Sequence, residues 1–137
     1  MWGLYGVGIA DQSVRFGEDG RDAWPYNVGK GRIVEYRWSG GLYHSGDVIV
    51  GNSEFAKGHR VCIELNMDSN PRTVTFFYDD KEQENYVANI PEAVRFWTFF
   101  HQKGAQFKIL KFERVYEAYA QHRTGFRALT FGQDWKQ

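Results

Sequence analysis

The sequence predicts an all-β fold, a bent antiparallel β-sandwich, and three observations carry that expectation. Aromatic residues make up 18% of the 137 positions, as 11 Phe, 8 Tyr and 5 Trp. Aromatic and β-branched side chains favour the half-buried pleated surface of a strand. The 15 glycines against 3 prolines punctuate the chain at short intervals, which suits many short strands joined by turns better than alternating strands and helices. Residues 60–78 alternate apolar and polar side chains on both sides of Ser69-Asn70-Pro71-Arg72, the period-two pattern of a hairpin with one buried face.

Taken in order, the strands are legible one by one. Residues 4–10 place Tyr5, Val7 and Ile9 between glycines and small residues, and residues 33–38 alternate Ile33, Glu35 and Arg37 with Val34, Tyr36 and Trp38. Residues 47–50 form a short run between Gly46 and Gly51. In the hairpin, Val61, Ile63, Leu65 and Met67 share one face, and Val74, Phe76 and Tyr78 answer them after the turn. Residues 94–100 are apolar on both sides except at Arg95 and Thr98, as in a strand covered on both faces. Phe107, Ile109 and Leu110 lead into Phe112 for a last strand. Beyond it, residues 115–122 suit a short helix, with Val115 and Tyr119 at i, i+4 and Thr124-Gly125 as its stop. The reading therefore divides into a sandwich over 1–113 and a helix and tail over 114–137.

Charge and composition narrow the function. Lys+Arg and Asp+Glu are 17 each, for a formal net charge of zero, whereas a nucleic-acid binder gathers surplus cations on one face. No apolar run approaches the ~18 residues of a spanning helix, so no membrane partner is expected. A single cysteine, Cys62, excludes an internal disulfide framework and a thiolate zinc cluster, which points to a reducing, cytoplasmic setting. Cys62 reads as buried or half-buried filler.

The same residues resemble a SPRY domain, a bent, concanavalin-like sandwich that serves as a protein-interaction module. Gly6-Val7-Gly8-Ile9-Ala10 is similar to the family's "VGVA" strand, and Asp22-Ala23-Trp24-Pro25-Tyr26 to its "SWGY" stretch, with Pro25 in place of a glycine. Phe55 through Val61 resembles "F..GD.VGV", and the hairpin beyond it "GV.LD…GT.SF", with Asn66 where the family usually has Asp. Asn89-Ile90-Pro91 and the strand at 94–100 follow in the family's order. The family carries two or more strands ahead of the first of these stretches, and here five residues precede it. The resemblance thus implies an open sheet edge suited to self-association, or filled by the 115–137 tail.

No catalytic constellation emerges. His44, His59, His101 and His122 lack metal-ligand spacing, and the third glycine of a dinucleotide loop after Gly6 and Gly8 is replaced by Asp11. Asp79, Asp80, Glu82 and Glu84 read as a solvated hairpin tip. The expectation is a module with no cofactor and no metal, binding a peptide or protein. The resemblance places the grip in loops at one end of the sandwich, residues 12–17 and 100–103. The first holds Val14, Arg15 and Phe16, an apolar pair about a cation, as an interface anchor with a polar rim; Phe16 suits equally a lid folded over the sandwich end. The second holds Phe100, His101, Gln102 and Lys103. Tyr26 and Tyr43, in loop-like stretches, join them as candidate contacts, while Trp24, Trp38 and Trp97 read as core. Two other classes compete. A jelly-roll lectin would use the aromatics as sugar platforms. A sandwich-fold hydrolase would pair two acids from Glu64, Asp79 and Glu84 at a fixed separation.

Overall fold

A computed structural model describes residues 4–15, 31–100, 103–104 and 106–135. Among them are ten strands and no helix: β1 (Leu4–Asp11), β2 (Ile33–Arg37), β3 (Leu42–His44), β4 (Asp47–Ile49), β5 (Val61–Asn66), β6 (Thr73–Tyr78), β7 (Lys81–Glu82), β8 (Asn85–Ala88), β9 (Val94–Phe100) and β10 (Arg127–Thr130). One sheet runs β4-β3-β2-β1-β9 and is antiparallel at every junction. The other runs β10-β8-β6-β5, with β7 hydrogen-bonded to β6. It is mixed, because β10 pairs with β8 in parallel. The all-β sandwich expected from the sequence is thus present.

The two sheets meet over one core. Leu4, Val7 and Ile9 of β1, Val34 and Tyr36 of β2 and Leu42 of β3 face Val74 and Phe76 of β6, Val87 of β8 and Leu129 of β10. Tyr36 and Phe76 are the largest side chains fully buried there, meeting edge to face at 5.3 Å. The Tyr36 hydroxyl is not stranded: it donates to the Ser53 carbonyl at 2.5 Å, while the Ser53 N–H donates to Gln83 Oε1 at 2.6 Å. Close by, Asn52 Oδ1 accepts the Asn85 backbone N–H at 3.0 Å and Asn52 Nδ2 returns a bond to the Asn85 carbonyl. Satisfying these buried polar groups stitches the 52–55 loop to the second sheet at little desolvation cost.

Glycine in β1 is a packing requirement. A Cβ on Gly8 would stand 1.8 Å from the Val34 carbonyl oxygen, and one on Gly6 would stand 2.6 Å from Cγ of Glu35. Glu35 is fully buried, and its carboxylate accepts from Arg37 Nε at 2.6 Å. Burial pushes its carboxyl up from the ordinary value, with Arg37 opposing.

Two expected elements are corrected. No helix forms over 115–122, because the N–H groups of 119–122 donate to two carboxylates of the second sheet instead of to carbonyls one turn back. His122 is also left-handed, at φ 46°. Residues 107–112 do not form a strand either, having no ladder partner among the described residues. β9, an edge strand, is covered on both faces as expected, with Val94 and Phe100 against the core and Trp97 and Phe99 in the Val14 cluster, although Phe96 is exposed. The tail beyond 114 is nevertheless built into the sandwich, through β10 and the buried Trp135.

That tail crosses back to the first sheet through His44. Its Nε2 accepts the Gly132 N–H at 2.9 Å, so Nδ1 carries the proton and donates to the Ile33 carbonyl at 2.9 Å. The ring stacks on Trp135, with centroids 4.9 Å apart, and the Trp135 backbone N–H donates to Asp47 Oδ2. Burial holds the imidazole below its ordinary 6.5, against the pull of the Ile33 carbonyl and Asp47. Below pH ~6.5 the unfolded chain therefore binds more protons than the folded one at this residue, and the His44 contribution to stability is lost as pH falls. Urea midpoints at pH 7.5 and 5.5 should fall more for the native chain than for His44→Gln; equal pH slopes would contradict the clamp.

Candidate functional site

The two loops expected to share one end of the sandwich stand at opposite ends of it. In the β1–β9 register Asp11 lies opposite Val94, and Leu4 lies opposite Phe100. The 12–15 loop thus sits at the Val94 end, tied there by Gln12 N–H to the Ala93 carbonyl at 3.1 Å and by Arg95 Nη2 to the Gln12 carbonyl. Phe100 and Lys103 lie at the far end of the strand, about 20 Å away at 3.3 Å per residue. Phe16, Tyr26, Trp24, His101 and Gln102 fall outside the described residues.

The individual side chains divide further. Val14, expected as an interface anchor, is fully buried and packs with Ala10, Ile33 and Trp97. Its β-branched body closes the outer face of the first sheet, a core duty that loop position alone concealed. Arg15 is exposed, its Nη1 donating to the Gln12 carbonyl at 2.7 Å. Tyr43, expected in a loop, is a buried residue of β3 with the Arg37 guanidinium 4.3 Å from its ring centroid. Phe100 is half-buried against the core, Lys103 is exposed, and Trp38 and Trp97 pack as core residues should.

Three of the candidate acids, Asp79, Asp80 and Glu64, have partners of their own. Asp79 accepts the Arg60 backbone N–H at 2.9 Å and pairs with His59. Those two bonds, the amide first, hold its carboxyl below the usual range. Asp80 pairs with Arg60 at 2.7 Å. Glu84 is exposed, and Glu64 is engaged by backbone amides. Among the described residues no three His, Cys, Asp or Glu side chains gather as metal ligands. Cys62 is exposed and not core filler. Its thiol is pushed up by the surrounding strand atoms and then by Glu64 and Asp80, away from the thiolate a nucleophile needs.

What the fold does present is an apolar strip between β9 and β10. Phe107, Ile109, Leu110, Phe112, Val115, Tyr116 and Tyr119 are all exposed, Phe112 to 78% and Tyr116 completely. The strip doubles back beside β9, with Phe107 against Phe100 at 5.3 Å and Phe112 against Phe96 at 5.5 Å. Residues 106–117 make no backbone hydrogen bond among the described residues. An exposed apolar row on an unpaired backbone is costly for a free surface and suits an interface.

The strip ends at a strap anchored on the second sheet. Tyr119 and Ala120 donate their backbone N–H groups to Glu64 of β5 at 2.8 and 3.0 Å. Gln121 and His122 donate theirs to Glu82 of β7 at 2.8 and 2.9 Å. The His122 ring lies flat on Tyr86 of β8, with centroids 3.8 Å apart and planes 4° apart, and its Nε2 is 2.8 Å from Thr75 Oγ1. Each carboxylate thereby holds two successive amides in charge-assisted bonds. Sequence reasoning missed this strap, since Glu64 and Glu82 lie 55 and 39 residues from the first amide each one holds. The strip itself left a signal, the apolar run at 107–112.

No family model matches the chain, and no curated protein or solved structure matches it either.

Two outcomes test this geometry. Val14→Ser should lower stability by about 2 kcal/mol, as a truncated core valine does, measured by urea unfolding; a loss below about 0.5 kcal/mol would return Val14 to the surface. Glu64→Gln with Glu82→Gln should raise tryptic cleavage after Arg123 by about tenfold, since each Gln retains only one acceptor oxygen. An unchanged cleavage rate would show that the strap is held by other contacts.

Proposed function

We propose that this chain is a non-catalytic protein-interaction module that binds a peptide or protein partner in a reducing, cytoplasmic setting. The observation that carries the reading is the apolar strip at 107–119, displayed beside an edge strand and fastened at its C-terminal end. Aromatic and aliphatic anchors ringed by Lys108, Lys111, Glu113 and Arg114 have the composition of an interface centre and rim. The likeness of the sequence to a SPRY domain supports an interaction module. The contact surface in this proposal is the strip, with Phe100 and Lys103 at its margin.

A photo-reactive phenylalanine analogue in place of Phe112, irradiated in cells, tests the reading. Discrete protein adducts are expected, reduced at least tenfold when Ile109→Lys is added without a change in melting temperature. Absence of any protein adduct would contradict the proposal, as would adducts indifferent to Ile109→Lys.

A further inference from the structure

We infer that the occupant of the strip is a second copy of this chain, with the two strips pairing antiparallel about a two-fold axis at Phe112. The inference rests on the reading of the strip as a protein-binding surface. Three observations choose a copy of the chain as the occupant.

The first is area. The exposed portions of Phe96, Phe107, Ile109, Leu110, Phe112, Val115, Tyr116 and Tyr119 come to on the order of 1,000 Å² if an aromatic side chain offers roughly 150–250 Å². A stable interface needs about 800 Å² from each partner. The second is charge. The chain has 17 cationic and 17 acidic side chains, so two copies approach without net repulsion. The third is local complementarity. A two-fold axis at Phe112 sets Phe112 against its own copy, Ile109 against Val115 and Lys111 against Glu113 of the second copy, with Leu110 opposite Arg114 and Phe107 opposite Glu117. Within one chain Lys111 and Glu113 already pair at 3.0 Å, so both project to the same side, as residues two apart on an extended strand do. Directly opposed unlike charges and apolar pairs stabilise an antiparallel strand pair, and the backbone groups of 106–117 have no competing partner among the described residues. Pairing of this kind is closed and isologous, which gives a dimer and not a fibre.

Sedimentation velocity of the full chain over a concentration series, with melting curves alongside, tests the inference. The native chain should be a dimer at tens of micromolar. Phe112→Glu should leave it monomeric, melting where the native chain does when diluted below its dimerisation range, because the side chain is exposed. Lys111→Glu should raise the dimer dissociation constant about fivefold or more, and Lys111→Glu with Glu113→Lys should restore it. A native chain that stays monomeric at several hundred micromolar overturns the inference, as does a Phe112→Glu variant that still dimerises. Failure of the double charge exchange to rescue Lys111→Glu overturns the two-fold at Phe112. In-cell adducts at position 112 with a different polypeptide, from a chain that is monomeric when purified, would overturn only the identity of the occupant. No adduct of any kind would remove the binding surface itself.

Discussion

Two carboxylates set the course of the last quarter of the chain. Glu64 and Glu82 stand on neighbouring parts of the second sheet and each accepts two successive backbone amides of residues 119–122. Those four N–H groups are what a helix over 115–122 would spend on its own carbonyls, so fastening the strap and forming the helix are mutually exclusive. Once the amides are fixed, His122 lies on Tyr86 and Arg127 reaches Asn85 in register for β10. The segment ahead of the strap is left outside the sandwich with its apolar side chains in solvent. Structure at the strap and exposure at the strip are two consequences of one set of hydrogen bonds.

The sandwich beneath tolerates this because its own closure does not depend on the strip. The core is filled from both sheets, and the buried polar side chains of Tyr36, Gln83, Asn52 and Asn85 are paired. On the far side the tail is clamped between sheets by His44, Trp135 and Asp47. Close approach at Gly6 and Gly8 lets β1 lie against β2 with Glu35 buried. Most of the large exposed apolar side chains gather at Phe96 and along 107–119, beside β9. A protein built this way concentrates its unsatisfied apolar surface in one place, and that is where a partner gains most by binding.

Strands with long alternation were readable from sequence because alternation itself reports a buried face. β5 and β6 fall within the expected hairpin, and β1, β2, β4 and β9 lie within one residue of their expected limits. The short strands β3, β7, β8 and β10 escaped, since two to four residues carry too little pattern, and Tyr43 next to Gly40-Gly41 reads as a loop. Residues 107–112 show the converse. Their side chains have strand character, yet a strand also requires a neighbour for its backbone, and no periodicity reports whether one exists. The binding residues were harder still. Val14 has the composition of an anchor but sits where Ala10, Ile33 and Trp97 need covering, and pairing register, invisible in one sequence, separates the 12–15 loop from Phe100 by the length of a strand.

The central claim is that residues 106–117 are an unpaired strip awaiting a partner while 119–122 are held. Amide hydrogen exchange resolved along the purified chain, in dilute and in concentrated solution, examines both halves at once. The account predicts slow exchange at 119–122 throughout, with near-intrinsic rates at 106–117 when dilute that slow as copies pair. Protection of 106–117 already in dilute solution would contradict it, because the strip would then be satisfied within its own chain.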